Sequence, residues 1–243
     1  HGGYFSSTDA DSEGEEGKFF VFYQDELMEL LGPERGELFC ASYACVPDGN
    51  WEGKNILHTP RPLPEVAREH GLPPGAFAAL IAGAREEVYE RRKTRVWPGL
   101  DDKVVASWNG LMIGAMAEGF RVLGDARYLR SAERAAEFAF QHLRRADGGL
   151  YRTARGLRAK LPAYLEDYAL LGDGLLTLYE AGGRLGGSAL SMPAGAALGA
   201  QASARALLLF VTELSERLLS DFEAEGGGFY FTAHQHEVLL VRT

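Results

Sequence analysis

The chain has 243 residues, 46% of them apolar, and a formal net charge of −9. That length allows one large domain or two small ones with a sizeable core. The acidic balance argues against a general nucleic-acid or anionic-membrane surface, and no uninterrupted apolar run of about 18 residues is present to span a bilayer.

The chain opens at His1 without a signal-like segment, so a cytoplasmic piece of something longer is expected. Residues 1–23 read as a loop with short strands, and Lys18–Tyr23 is the most strand-like run. Between them, Asp9, Asp11 and Glu13 followed by Gly14 imitate the start of a calcium loop. The carboxylate needed at the twelfth position is Phe20, so a solvated acidic hairpin tip, or a rim of carboxylates at a cleft, is expected instead and no metal is assigned. Asp25–Leu31 reads as a short helix stopped by Gly32 and Pro33, with a second helix over Glu34–Ala44. Cys40 and Cys45 form neither a disulfide framework nor a CxxC motif. Five positions apart, they are poorly placed to meet on one helix, and two buried free thiols are expected. Pro47–Asn55 is a long turn region, and His58 follows it.

From Gly75 onward helices dominate. Phe77, Leu80, Ile81, Ala84 and Val88 share one face, and the basic end Arg91–Arg95 suits a solvated helix C-terminus. The stretch Asp101–Gly110 is the densest chemistry in the chain. A helix starting near Asp102 would put positions 104, 108, 111, 112 and 115 on one face. Trp108 would then lie close to the carboxylates of Asp101 and Asp102, as in a sugar pocket; the plainer alternative is an acidic first turn with a buried tryptophan. Gly110 and Gly114 are four apart, which lets a neighbouring helix approach closely. Residues 126–145 form an amphipathic helix through Leu129, Ala132, Ala136, Ala139 and Leu143. Two strands around Gly156 follow, then a helix over Tyr164–Ala181 with Glu166 and Asp167 in its first turn. Gly182–Gln201 is weakly patterned, and 182–203 reads as a flexible insertion. Ala204–Phe222 is helical again, and Glu237–Val241 is strand-like.

Three segments look alike: Gly2-Gly3-Tyr4-Phe5, Gly148-Gly149-Leu150-Tyr151 and Gly227-Gly228-Phe229-Tyr230. The last two each follow a long helix and read as entries to short hairpins. Helix pairs punctuated by a recurring turn are a repeat architecture. The fold expected is all-α: a single incomplete domain over 1–243, a partial (α/α)6 toroid of helical hairpins with short β-hairpins at the helix exits.

Four motifs occur in one order: Asp9–Gly14; Gly49-Asn50 with Glu52-Gly53 and Asn55-Ile56-Leu57; Asp101-Asp102-Lys103 with Ser107–Met112; and Leu165–Ala169. Together they resemble the thioredoxin-domain-containing family typified by the spermatogenesis-associated, thioredoxin-like proteins, over about residues 1–180 and 221–242. The resemblance implies a thioredoxin-like domain ahead of a toroid similar to N-acylglucosamine 2-epimerases and six-hairpin glycosidases. By that resemblance this sequence would correspond to the later part of the toroid, and no redox activity carries over to it.

Two functions are expected from different classes. In a sugar-active or sugar-binding domain, Asp101 or Asp102 with Glu166 or Asp167 would supply a carboxylate pair. Trp108 and Tyr168 would stack a sugar ring, and Lys103 and Asn109 would bind hydroxyls. An epimerase needs two acid/base groups flanking a carbon, and His58 is the only histidine near a motif. The alternative is a non-catalytic scaffold or binding module partnering the thioredoxin-like domain, in which the same residues cement helices. No cofactor is called for.

Overall fold

The computed structural model describes residues 2–183 and 200–235. Two compact units make up the chain: Thr8–Leu100, and residues 2–7 together with the chain from Asp101 onward. The described residues are mostly helical, with small antiparallel sheets. Two-residue strands β1 (Ser7–Thr8) and β4 (Leu100–Asp101) lie where the chain passes from one unit to the other.

In the Thr8–Leu100 unit, strands β2 (Asp11–Ser12) and β3 (Glu15–Glu16) pair antiparallel, Asp11 opposite Glu16. Glu13 and Gly14 turn between them with φ of 55° and 77°, the left-handed pair that two-residue hairpins require. The expected acidic hairpin tip is thus present. Lys18–Tyr23 is not the expected strand. Gly17–Phe20 is a turn, and only Phe22 pairs, with Asn55. The physical reason is Arg95. Its guanidinium donates to the carbonyls of Phe19 and Val21 at 3.0 and 2.7 Å, occupying acceptors that a strand partner would need. The same group binds the Glu26 carboxylate through two contacts of 2.8 and 2.7 Å and lies 4.2 Å from the Phe22 ring centre. Arg95 is therefore an internal tie rather than part of a solvated basic end.

Helices α1 (Gln24–Leu31), α2 (Pro33–Ser42), α3 (Leu63–Glu69) and α4 (Pro74–Lys93) complete this unit. Of the face expected on α4, Phe77, Ile81, Ala84 and Val88 are buried and Leu80 is partly so. Cys40 and Cys45 are buried free thiols, as expected, but they do meet. Helix α2 ends before Cys45, and Ala44 takes φ 50°. The Cys45 N–H then donates back to the Cys40 carbonyl at 3.0 Å, the six-to-one bond of a Schellman turn that folds the two side chains together. Their shared hydrogen bond holds the Cys40 thiol below its ordinary pKa and pushes the Cys45 thiol up.

The second unit begins with strand β5 (Lys103–Val105), which runs directly into α5 (Ala106–Leu123). The acidic helix start expected near Asp102 is absent. The β-branched pair Val104-Val105 extends instead and pairs with Ala154 and Thr153. The buried face of α5 is consequently Ala106, Ser107, Asn109, Gly110, Ile113, Ala117 and Phe120. Trp108 and Leu111, read as the apolar face, are 53% and 54% exposed, so a buried tryptophan is also ruled out. Helix α6 (Ala126–Phe138) continues through a wide turn at Ala139–Leu143, closed by the Arg144 N–H on the Ala139 carbonyl at 3.2 Å. Leu129, Ala132, Ala136, Ala139 and Leu143 are all buried, as the periodicity requires.

Strands β6 (Tyr151–Arg155) and β7 (Arg158–Pro162) form the expected hairpin, with Gly156 at φ 59° in the turn. With β5 they make a three-stranded antiparallel sheet in the order β5-β6-β7. Helices α7 (Leu165–Gly183) and α8 (Ala200–Phe222) complete the described part. Of the span 182–203, residues 182–183 close α7, 200–203 open α8, and 184–199 lie outside the described residues, as does the strand expected at 237–241.

The repeated glycine segments make the same turn after α6 and after α8. Arg144 bridges Leu150, and Glu223 bridges Phe229. The Arg145 N–H donates to the Gly149 carbonyl at 2.8 Å, and the Ala224 N–H to that of Gly228 at 3.0 Å. Gly148 and Gly227 both hold positive φ, 80° and 89°. The first copy leads into the β6–β7 hairpin; after the second, the described residues 231–235 form no strand.

The core of this unit is set by how closely α5 and α7 cross. A methyl group on Gly110 would overlap the Leu170 carbonyl, and one on Gly174 would overlap the Gly110 carbonyl. Gly114 faces the Gly174 backbone at the same crossing. Neither helix can move away without opening a core that includes Ile113, Leu171 and Leu175, each 0% exposed. Gly174→Ala is expected to destabilise the protein by about 2–4 kcal/mol through overpacking against backbone. Gly172, in the same helix, has open space where a methyl would go. Gly172→Ala is expected to stabilise by up to about 1 kcal/mol. Urea unfolding of both variants checks the pair.

Candidate functional site

The residues singled out in the sequence gather at the β5–α5 junction and the start of α7. Val105 precedes α5 with no side-chain cap. The Ser107 N–H in the first turn instead donates to Asp167 Oδ1 at 3.1 Å. Asp167 Oδ2 accepts from the Tyr164 N–H and from Arg152 Nη1, both at 3.0 Å. Asp167 is completely buried. Its carboxylate thus lies at the N-terminal ends of two helices, where the peptide dipoles favour negative charge, with one guanidinium beside it. A buried carboxylate without such partners would cost several kcal/mol.

Asn109 is buried as well and acts as a backbone clip. Its Oδ1 accepts from the Tyr4 N–H at 2.7 Å, and its Nδ2 donates to the carbonyls of Tyr4 at 3.1 Å and Val105 at 2.9 Å. Tyr168 is buried, and its hydroxyl accepts from the Leu150 N–H at 2.9 Å. Burial raises the Tyr168 phenol above its ordinary pKa, and the bond to Leu150 opposes that in part.

The remaining candidates on this unit reach the surface. Asp102 pairs with Arg155 at 2.6 Å and Asp101 with Lys103 at 3.2 Å. Glu166 meets Arg152 at 2.9 Å, so Arg152 bridges the half-buried Glu166 and the buried Asp167. Trp108, in the first turn of α5, presents its ring to solvent. Asp101, Asp102, Lys103, Glu166 and Trp108 are therefore available for contact, whereas Asp167, Asn109 and Tyr168 hold backbone segments together. His58 belongs to the Thr8–Leu100 unit, where it is exposed, with Nδ1 3.1 Å from the Ile56 carbonyl.

Sequence reasoning missed Arg152. Its signal was the acidic pair Glu166-Asp167 opening an otherwise apolar helix, which requires a cation from elsewhere in the chain. The same reasoning gave Ser107 no role, although its Oγ is buried and unpartnered among the described residues. No group of three or more His, Cys, Asp or Glu residues is placed to hold a metal ion among the described residues, and no helix among them is long and apolar enough to cross a membrane.

The unit built on α5–α8 is thus a helical-hairpin domain with a small antiparallel sheet, its hairpins closed by a recurring glycine turn. The chain is 33% identical to human spermatogenesis-associated protein 20 over 215 residues, covering 74% of this chain and 27% of the human protein. The mouse protein of the same name is 31% identical over the same length. A Caenorhabditis elegans protein described as uncharacterized is 30% identical over 215 residues, 75% of this chain and 29% of that protein. No family model matches. These likenesses support a family of the spermatogenesis-associated protein 20 type. The chain spans a little over a quarter of the length of the relatives it matches.

Asp167→Asn is expected to destabilise the fold by about 3–5 kcal/mol, because Arg152 keeps its charge and loses its buried partner. Trp108→Ala is expected to stay within about 0.5 kcal/mol of the parent, as an exposed substitution. Chemical denaturation of both distinguishes the buried tie from the open surface. Stability is also expected to fall above about pH 10. There the unfolded Tyr168 phenol ionises before the folded one, so the folded state binds more protons and rising pH disfavours it. Tyr168→Phe should flatten that alkaline slope, at a cost of about 1–3 kcal/mol at neutral pH for leaving the Leu150 N–H unpaired. Thermal melts from pH 7 to 11 test both effects.

Proposed function

We propose that the unit carrying α5–α8 is part of an (α/α) toroid whose surface around Trp108 contacts carbohydrate. The exposed Trp108 ring is the observation that carries this reading. It stands in the first turn of α5, directly after strand β5, which starts at Lys103 and follows Asp101 and Asp102 in the chain. Aromatic faces take the apolar face of a sugar ring, and exposed carboxylates and ammonium groups take its hydroxyls. Glu166, half-buried and paired with Arg152, adds a further carboxylate at the start of α7. The toroid reading is supported by two successive helical hairpins, α5–α6 and α7–α8, each ended by the same glycine turn.

In this reading Asp101, Asp102 and Glu166 contact the ligand, and Asp102 with Glu166 supplies the pair for acid/base or nucleophilic work. Asp167, Asn109 and Tyr168 position the helix ends beneath them. A second reading is favoured by those same buried residues: a scaffold for a thioredoxin-like domain, in which the polar motifs hold helices together and act on nothing. It accounts for Asp167, Asn109 and Tyr168 but gives no reason for an exposed Trp108.

Calorimetric titration of a mono- and oligosaccharide panel separates the two, using the full-length protein alongside this chain. The carbohydrate reading expects saturable binding that falls at least about tenfold in Trp108→Ala. For any substrate turned over, Asp102→Asn should abolish turnover with the melting temperature little changed. Absence of binding across the panel by well-folded full-length protein selects the scaffold.

A further inference from the structure

The Thr8–Leu100 unit contains a cavity of about 400 Å³, within the range of small-molecule sites. Its apolar lining is unusual in being open. Phe20, Ile56 and Tyr89 are 44%, 49% and 40% exposed around it, over a floor that includes the buried Phe22 and Phe39. One wall is a stripe of α4 formed by Arg85, Tyr89 and Arg92, spaced four and three residues apart and so on one helical face. The two arginines are separated by about 10 Å along the helix axis.

Neither arginine forms an ion pair within 4 Å among the described residues. The acids around them are engaged elsewhere: Glu87 with Arg35, Glu90 with Lys93, and Glu26 with Arg91 and Arg95. Arg92 is instead held between rings, its guanidinium carbon 5.4 Å from the Tyr89 centre and 5.7 Å from that of Phe19. Its Nε is shut off from solvent without an acceptor. In a chain of net charge −9, this is a local reversal of sign on the wall of an apolar cavity. Glu86 lines the same cavity, so two guanidinium groups face one carboxylate. That balance suits a ligand with one negative charge and disfavours a polyanion.

We infer that this cavity binds a small amphipathic carboxylate: one aromatic or branched apolar group lying against Tyr89, Phe20 and Ile56, with its single carboxylate on Arg92 and the charge of Arg85 adding to the attraction from one turn away or more. A planar guanidinium fixed by ring contacts is preorganised for bidentate carboxylate binding. The same chemistry is offered by a free acid and by the C-terminal residue of a peptide.

The test uses the whole chain and four probes, followed by calorimetry and by heteronuclear NMR shifts of α4: 3-phenylpropionate, its neutral amide, N-acetyl-glycyl-phenylalanine, and inorganic phosphate. Saturable binding of 3-phenylpropionate is expected with a Kd below about 1 mM, and at least about tenfold weaker binding of the amide. Phosphate alone should not saturate. Arg92→Gln should weaken the acid by at least about tenfold, and Arg85→Gln by several-fold. Arg85 makes none of the ring contacts that hold Arg92, so its variant reads the charge effect should Arg92→Gln fail to fold. Tighter binding of the acetylated dipeptide than of 3-phenylpropionate assigns the site to peptide C-termini; the reverse order assigns it to free acids. Equal affinity for acid and amide, saturable phosphate binding, unchanged affinity in folded variants of both arginines, or no saturable binding at about 10 mM overturns the inference.

Discussion

The crossing of α5 and α7 is the constraint on which the larger unit depends. Gly110 and Gly174 let two helix backbones meet without side chains between them. Once the axes are that close, their N-terminal ends are close too, and each brings N–H groups that no helical carbonyl can satisfy. Asp167 answers both with one carboxylate, taking the Ser107 and Tyr164 N–H groups, and Arg152 balances its charge. The polar tie and the glycine contact therefore support each other. Without close approach the carboxylate could not span both helix starts, and without the carboxylate the close approach would bury unsatisfied donors.

The second organising feature is the glycine turn. After α6 and after α8 the chain must leave a helix and reverse within a few residues. Gly148 and Gly227 supply the positive φ, and matching backbone bonds close the turn in both places. After the first turn, β6 pairs with β5 on one side and β7 on the other, and this sheet fixes where α5 begins. The second turn returns to α7 by another route, because the Leu165 N–H takes the Phe231 carbonyl and Tyr164 stacks on Phe231 at 5.1 Å. One local motif thus serves two tertiary settings.

The other unit uses arginine where a sheet would otherwise be expected. Arg95 ties down the carbonyls of Phe19 and Val21, which suppresses the strand that composition alone suggests. Arg92, three residues earlier, is held by rings and finds no acceptor. Two adjacent turns of the same basic segment thus have opposite fates, one as an internal brace and one as a charge at a cavity with no ion pair among the described residues.

Much of the fold was legible in the sequence because it rests on local periodicity. The faces of α4 and α6, the stop at Gly32, the hairpin at Gly156 and the close approach at Gly110 and Gly114 follow from spacing and glycine alone. So did the repeated turn, and the grouping of Asp101–Asn109 with Glu166–Tyr168 near one junction. What spacing could not decide was set by partners distant in the chain. Val104-Val105 became a strand because β6 lies beside it, and that shift turned Trp108 outward. Asp167 and Asn109 were drawn into the interior because Tyr4, Arg152 and the first turn of α5 needed them. Cys40 and Cys45 met because Ala44 bent the chain after α2. A sequence records which residues can form helices and where the backbone may approach closely; whether a carboxylate or an aromatic ring faces solvent depends on which groups the folded chain brings to it.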